Sequence, residues 1–285
     1  MNRWLRLSFA TTVLLFVSGC SIETILFPIF EEPFLLPEPP ATLGPYAFEQ
    51  RTITVDDLGD GRPGEVTVFA PLDAPADRPA LVWVLGVNNR VHFHQSFHEY
   101  MASWGYVDLI AQTRDISFAD TQYHAKNVAN VVRTVERALS DEFALSIDAE
   151  RVALGGYSVG GSMAAFAAAQ TPAARAVAMW APAPAPIWQG VDPEALLPAV
   201  AQPTLFLLAE FDIVVGDWPE RMQQLLSQSS QTVSQIDGGV HLFFQQPPSL
   251  DDRNPATPIT RQDQMREAFA RTRAYLDQTM DVTRD

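Results

Sequence analysis

The stretch that most limits what this chain can become is Gly156-Tyr157-Ser158-Val159-Gly160-Gly161. Ahead of it stands Arg151-Val152-Ala153-Leu154, a short β-prone run. Behind it comes Ser162-Met163-Ala164-Ala165-Phe166-Ala167-Ala168-Ala169, a strong helix former. Strand, sharp turn and helix with a serine at the apex is the context in which G-x-S-x-G carries chemistry. The apex residue is forced into a strained conformation that holds its hydroxyl clear of the sheet. Glycines two residues before and after it remove the Cβ atoms that would collide there. Ser158 is thereby expected at a helix N-terminus. The amide of Val159 and the helix dipole then favour an oxyanion developing where the hydroxyl attacks. A glycine-rich turn without chemistry could use the same pentapeptide, but the flanking strand and helix favour a nucleophile.

The rest of the body alternates in kind. Phe48 to Val55 and Glu65 to Ala70 read as strands, joined through Asp60-Gly61-Arg62-Pro63-Gly64 as an antiparallel hairpin. Ala80 to Leu85 is a continuous apolar run, as expected of a strand buried on both faces. Phe93 to Ala102 reads as a short helix and Tyr106 to Ala111 as the next buried strand, despite Asp108. Val128, Val131, Val132, Val135 and Leu139 have helical spacing within 121–139. Strands are expected at 151–157, 176–180, 204–209 and 232–236, with helices at 219–227 and about 260–280. Such alternation predicts one α/β domain with a mostly parallel sheet covered on both faces. The segment between the strands at 176–180 and 204–209 leaves no room for a large lid.

A serine hydroxyl is a weak nucleophile at neutral pH and needs a base, which in turn needs an orienting acid. In an α/β sheet such groups gather in the loops after the carboxyl ends of strands. The strand at 204–209 runs into Glu210-Phe211-Asp212. The strand at 232–236 runs into Asp237-Gly238-Gly239-Val240-His241. Asp212 and His241 are therefore the expected acid and base, with Glu210 the alternative acid and Asp115 and Asp237 more remote ones. His92, His94 and His98 cluster near the loop after Leu85, but no carboxylate or cysteine pattern accompanies them. They read as a pocket rim or a solvated helix face, not as metal ligands. His124 reads as a structural helix residue. Trp180, Trp188, Phe93 and Phe243 are candidates for an acyl pocket, or else for the core.

From about residue 46 to its end the chain resembles the α/β-hydrolase superfamily. The likeness is greatest to the branch of dienelactone hydrolase-like, chlorophyllase-like and bacterial cutinase or PET-hydrolase-like esterases. It rests on Gly44-Pro45-Tyr46, Val68-Phe69-Ala70-Pro71, Ala102-Ser103-Trp104-Gly105-Tyr106, the serine turn, Phe211-Asp212-Ile213-Val214 and Gly238 to His241. Serine, acid and histidine also follow one another in the order of that superfamily. The resemblance implies a twisted, mostly parallel sheet of about eight strands with helices on both faces. It implies hydrolysis of carboxylic esters, small or polymeric, through an acyl-enzyme and without a cofactor. It also implies that the amide of Val87 joins that of Val159 in the oxyanion hole. The chain departs from the family at Leu85-Gly86, where His-Gly is usual. A thioesterase or peptidase would use the same three residues, and a binding lipoprotein could keep the fold without catalysis.

The first forty-five residues stand apart. Arg3 and Arg6 precede an apolar run from Leu7 to Val17, too short for a stable membrane span, which ends in Val17-Ser18-Gly19-Cys20. This resembles a bacterial lipoprotein signal, with 1–19 removed and Cys20, the chain's only cysteine, lipidated. In such proteins Ser21 after the cysteine implies the outer membrane of the cell envelope. Residues 20–45, rich in proline, then read as a tether and 46–285 as the hydrolase domain. The formal charge is −15. Removal of 1–19 takes away Arg3 and Arg6 and no acid, leaving about −17. So acidic a body repels nucleic acid, and no nucleic-acid partner is expected.

Overall fold

The computed structural model describes residues 40–87, 89–111, 120–185, 187–245 and 259–283. Cys20, the leader 1–19, most of the tether and Asp115 lie outside the described residues.

The chain gives eight strands: β1 Phe48–Val55, β2 Gly64–Pro71, β3 Arg78–Val84, β4 Val107–Ala111, β5 Ile147–Tyr157, β6 Ala176–Trp180, β7 Thr204–Ala209 and β8 Gln231–Ile236. They form one sheet in the order β1-β2-β4-β3-β5-β6-β7-β8. β1, β2 and β4 pair antiparallel, and every pair from β4 through β3 to β8 is parallel. The central strands read as unbroken apolar runs because both of their faces are covered. β6 (AVAMW) is buried throughout, whereas edge strand β8 (QTVSQI) keeps most of its residues at least partly exposed.

Six helices matter to the layering: α1 Gln95–Ser103, α2 Tyr123–Leu139, α3 Val159–Ala168, α4 Pro193–Leu196, α5 Trp218–Leu225 and α6 Arg261–Thr279. α2 and α3 pack on each other and on β5, while α1 and α6 pack together, with α6 also on β6 and β7. Between these layers sits an aromatic core. Trp83 and Trp180 meet edge to face at 4.8 Å, Phe97 lies 4.4 Å from Trp180, and Phe269 stacks on Trp180 at 6.0 Å. Aromatic pairs at such distances add about 0.5–1.5 kcal/mol each beyond their burial. Trp180 thus belongs to the core and not to an acyl pocket, with its indole N–H donated to Thr272 Oγ1 at 2.7 Å.

Several boundaries differ from the sequence reading, among them the start of β5, at Ile147 in place of 151, and two that bear on the packing. The body begins earlier than residue 46. Pro40 is buried, Gly44 N–H donates to Ser103 Oγ at 2.8 Å, and Tyr46 N–H donates to Ser103 O at 3.1 Å. A Cβ at Gly44 would stand 2.2 Å from Ser103 O, so only glycine lets the backbone dock so closely. The helix expected from Phe93 starts at Gln95, because Val91–Phe93 wind more tightly as a 3-10 turn first.

Candidate active site

β5 runs directly into α3, and Ser158 stands at the joint with φ +58° and ψ −133°. A serine pays a strain of about 1–3 kcal/mol for such a conformation, which persists only where the surroundings over-determine it. Here they do. Ser158 N–H donates to Trp180 O at 2.9 Å, and Ser158 O accepts from Ala183 N–H at 3.1 Å and Gly161 N–H at 2.9 Å. The flanking glycines are obligatory. A Cβ on Gly156 would meet Gly160 O at 2.5 Å, and one on Gly160 would meet the carbonyls of Val84 and Leu85 at 2.4 Å. Ser158 does not cap the helix with its side chain, so the hydroxyl remains available. As first residue of α3, Val159 has an N–H with no intrahelical partner.

The β7–β8 ladder continues past both strands. Glu210 N–H donates to Ile236 O at 3.1 Å and Phe211 N–H to Gly239 O at 2.8 Å. That continuation brings the two loops side by side, so Asp212 Oδ2 lies 2.7 Å from His241 Nδ1. His241 Nε2 lies 3.1 Å from Ser158 Oγ. Asp212 Oδ1 accepts the N–H groups of Val214 at 2.9 Å and Val215 at 3.3 Å, which fixes the carboxylate plane. Since the carboxylate can only accept, His241 carries its proton on Nδ1 and presents a bare Nε2 to the serine.

Several residues that sequence reasoning did not assign hold this geometry. Gln264 of α6 grips Val240 from both ends, accepting its N–H at 2.9 Å and donating to its carbonyl at 2.8 Å. Arg261 donates to the carbonyls of Leu242, at 2.8 Å, and Gln245. Tyr157 packs on the His241 ring at 5.0 Å and donates its hydroxyl to His241 O at 3.2 Å. Burial, then the Asp212 charge, hold the Tyr157 phenol well above its usual range, so it stays a donor. Glu210 has a task of its own: its Oε2 accepts Gly238 N–H at 2.7 Å, bracing the turn before His241. Asp237 is exposed, and among the described residues the carboxylate that meets His241 is that of Asp212.

The histidines near the β3 end contradict the reading of a rim or solvated face. His94 and His98 are fully buried, and only His92 is partly exposed, edge-on to Phe93 at 4.6 Å. The reason is helical spacing: His94, Phe97, His98 and Met101 share the inner side of α1. A carboxylate does accompany them, since Asp108 Oδ2 lies 2.8 Å from His98 Nδ1. Among the described residues no group of side chains is arranged to hold a metal ion. His124 is structural as expected: Nδ1 accepts Gln189 N–H at 3.2 Å, and burial pushes the imidazole down to about 4. Phe243 is buried under the Arg261 guanidinium, whereas Trp188 lies half-buried against Phe166 at 4.9 Å.

Val87, in the turn after β3, is 37% exposed, and among the described residues its N–H makes no backbone hydrogen bond. Other exposed apolar side chains stand in the connections that follow β6 and β7. They include Ile213, 93% exposed, Ile187, 71% exposed, Phe211 and Val214. Among the described residues, the segment between β6 and β7 holds two short helical turns, α4 and a 3-10 turn at Leu197–Ala199.

Comparison with known proteins agrees with this architecture. A family model described as PETase, PET hydrolase-like, matches residues 38–250. Among solved structures, a Pyrobaculum calidifontis esterase in a monoclinic form superposes with a TM-score of 0.60 at 19% identity, over 82% of this chain and 86% of that one. A hyperthermophilic esterase from the same archaeon gives 0.61 at 20% identity, over 82% and 84%. At such identity the likeness is one of fold, and the fold is that of the α/β-hydrolases. No curated protein matches the chain.

Proposed function

Starting from the premise that this chain belongs to the PETase family of PET hydrolase-like α/β-hydrolases, we propose that it cleaves carboxylic esters with Ser158 as nucleophile, His241 as base and Asp212 as its orienting acid. The observation that carries the reading is the hydrogen-bonded line from Asp212 Oδ2 through His241, at 2.7 Å and 3.1 Å, to a serine held at φ +58°. Ser158 Oγ attacks the ester carbonyl as His241 Nε2 takes its proton. The amides of Val87 and Val159 hold the oxyanion, and such donors are each worth roughly 3–4 kcal/mol. Collapse of the tetrahedral intermediate expels the alcohol, protonated by His241. Water, activated by the same nitrogen, then releases the acid from the acyl-enzyme. Attack, proton transfer and hydrolysis need only these groups and water.

The exposed apolar side chains of Ile187, Phe211, Ile213 and Val214 support a substrate that is a small or polymeric ester, taken without a lid movement. Esterase descriptions of the two structural neighbours favour the same bond type. The reading includes anchorage to the bacterial envelope through a lipid on Cys20, supported by the pattern of residues 3–20. The test is labelling by a fluorophosphonate together with hydrolysis of p-nitrophenyl esters of graded length. We expect labelling that Ser158→Ala abolishes, and rates that do not jump at the micelle threshold. An unlabelled wild-type protein would remove the catalytic reading in favour of a binding role. For the anchor, palmitate-analogue incorporation should vanish in Cys20→Ala while hydrolysis persists.

A further inference from the structure

The turn after β3 carries a polar chain that the reaction above leaves unused. The Val87 N–H belongs to the same planar trans peptide as the Gly86 carbonyl, and the two point in opposite directions. Gly86 O accepts from Asn89 N–H at 3.1 Å. Val87 O, on the following peptide, accepts from Asn89 Nδ2 at 3.1 Å. One asparagine thus grips both peptides that flank the Val87 Cα. Because a carbonyl can only accept, Asn89 turns its N–H group to Val87 and its Oδ1 to the other side. There His94 Nε2 lies 3.1 Å away. His94 must therefore donate, which assigns its proton to Nε2.

His94 is well placed to act as a fixed post. It is fully buried, with its ring 5.2 Å from Tyr157 and 6.1 Å from both Trp83 and Trp180. Among the described residues its Nδ1 has no hydrogen-bond partner. Burial, then the neighbouring His98, hold the imidazole well below its usual range, so it is neutral. A neutral ring seated among rigid aromatics keeps one donor in one place. A buried nitrogen without a partner is destabilising, so a phenylalanine would fill the same space with less penalty. What the histidine adds over such a residue is the Nε2–H to Asn89.

We propose that His94 and Asn89 are positioning residues of the oxyanion site: His94 holds the Asn89 amide, and Asn89 holds the Gly86-Val87 turn so that the Val87 N–H faces the carbonyl oxygen under attack. The proposal rests on the reading of Val87 as an oxyanion amide and of Ser158 as the nucleophile.

The experiment compares full-length wild type with Asn89→Ala, His94→Phe, His94→Gln and the double variant Asn89→Ala/His94→Phe. It measures kcat and KM on p-nitrophenyl butyrate, inhibition by phenylboronic acid, and thermal melting. Boronic acids form a tetrahedral adduct on the serine that uses the oxyanion amides, so a purely structural role would not move their affinity selectively. Misaligning one donor should cost less than deleting it. Asn89→Ala and His94→Phe should each lower kcat about tenfold and weaken phenylboronic acid by a similar factor, with KM within about twofold. Because the two residues act in series, the double variant should lose no more than either alone. His94→Gln, which keeps an N–H donor, should recover part of the loss. The proposal is overturned if Asn89→Ala keeps kcat within twofold of wild type, if the losses add, or if boronate affinity is unchanged while kcat falls. Asn89 is half-buried in a turn, so that variant decides the matter even if His94→Phe does not fold. A wild type that neither hydrolyses the ester nor takes the fluorophosphonate would instead remove the underlying catalytic reading, and the proposal with it.

Discussion

His241–Asp212 and His98–Asp108 are paired almost alike, at 2.7 Å and 2.8 Å through Nδ1, and both are buried, but they differ in where the fold places them. Asp108 lies within β4, in register with Phe69 and Leu81, so its partner histidine is enclosed by the core. The His98 ring stacks on Phe69 at 5.3 Å. Its Nε2 and Asp108 Oδ1 have no hydrogen-bond partner among the described residues. Burial raises the Asp108 carboxyl, with His98 opposing. Asp212, by contrast, lies in the loop beyond β7, where two backbone amides and the imidazole share its oxygens. His241 reaches a serine hydroxyl at the end of another strand. A histidine–aspartate pair is thus not in itself a site. What distinguishes the second pair is its place at the carboxyl ends of the strands, beside Ser158, which the β5–α3 joint holds at φ +58°.

The strongest way to break this comparison is to disable each pair in turn. Asp212→Asn should keep the fold, by circular dichroism, and lower turnover by ~10⁴ through the wrong imidazole tautomer. Ser158→Ala should lose at least as much, and the double variant hardly more, since the three residues act as a unit. Asp108→Ala should leave kcat within about twofold. It should lower unfolding stability by about 3 kcal/mol in a urea titration, because it strands one member of a buried pair. If Asp108→Ala instead cripples turnover at unchanged stability, the buried pair belongs to the machinery and the contrast collapses. A smaller effect sharpens the acid assignment. Glu210 accepts Gly238 N–H, and a glutamine can still accept it, so Glu210→Gln should change turnover by less than about tenfold, under ~1.4 kcal/mol. Near-wild-type Asp212→Asn beside a crippled Glu210→Gln would exchange their roles.

The same contrast explains what was legible in the sequence. β6 and β7 fall at the residues expected, because continuous apolar runs between turn signals leave little freedom. The strained turn at Ser158 was legible because glycines at 156 and 160 are forced by close backbone approach. Asp212 and His241 were legible as candidates from strand-end position, a rule about topology. The buried pair was not, since its two members belong to different elements, a helix and a strand, that only the packing brings together. One signal was present and unread. His94 and His98 are four apart, with Phe97 and Met101 on the same helical side, and that spacing points inward. The bracing roles of Glu210, Gln264 and Asn89 depend on turn geometry, which residue order does not encode.

The smallest expected effect concerns the histidines that lack a carboxylate. His124 takes Gln189 N–H on Nδ1, and burial lowers its pKa from 6.5 to about 4. Its folded value lies below its unfolded one. Between those values the unfolded chain therefore binds more protons, and stability falls as pH drops from about 6.5 toward 4. His94, also lowered by burial, acts in the same sense. His124→Asn supplies an oxygen where Nδ1 stood and removes the titration. It also loses ring contacts with Tyr123 at 4.9 Å and Trp188 at 5.0 Å. That packing loss is the same at every pH, so it cancels when the urea midpoint at pH 7.5 is compared with that at pH 5.0. The wild type should lose more stability across this interval than His124→Asn, with a difference in slope below one proton, because His124 alone distinguishes the two proteins and the titration of His94 cancels. Equal losses in the two proteins would mean that His124 is not held neutral by the fold. The remaining acid sensitivity would then be assigned to the core around His94 and the His98–Asp108 pair.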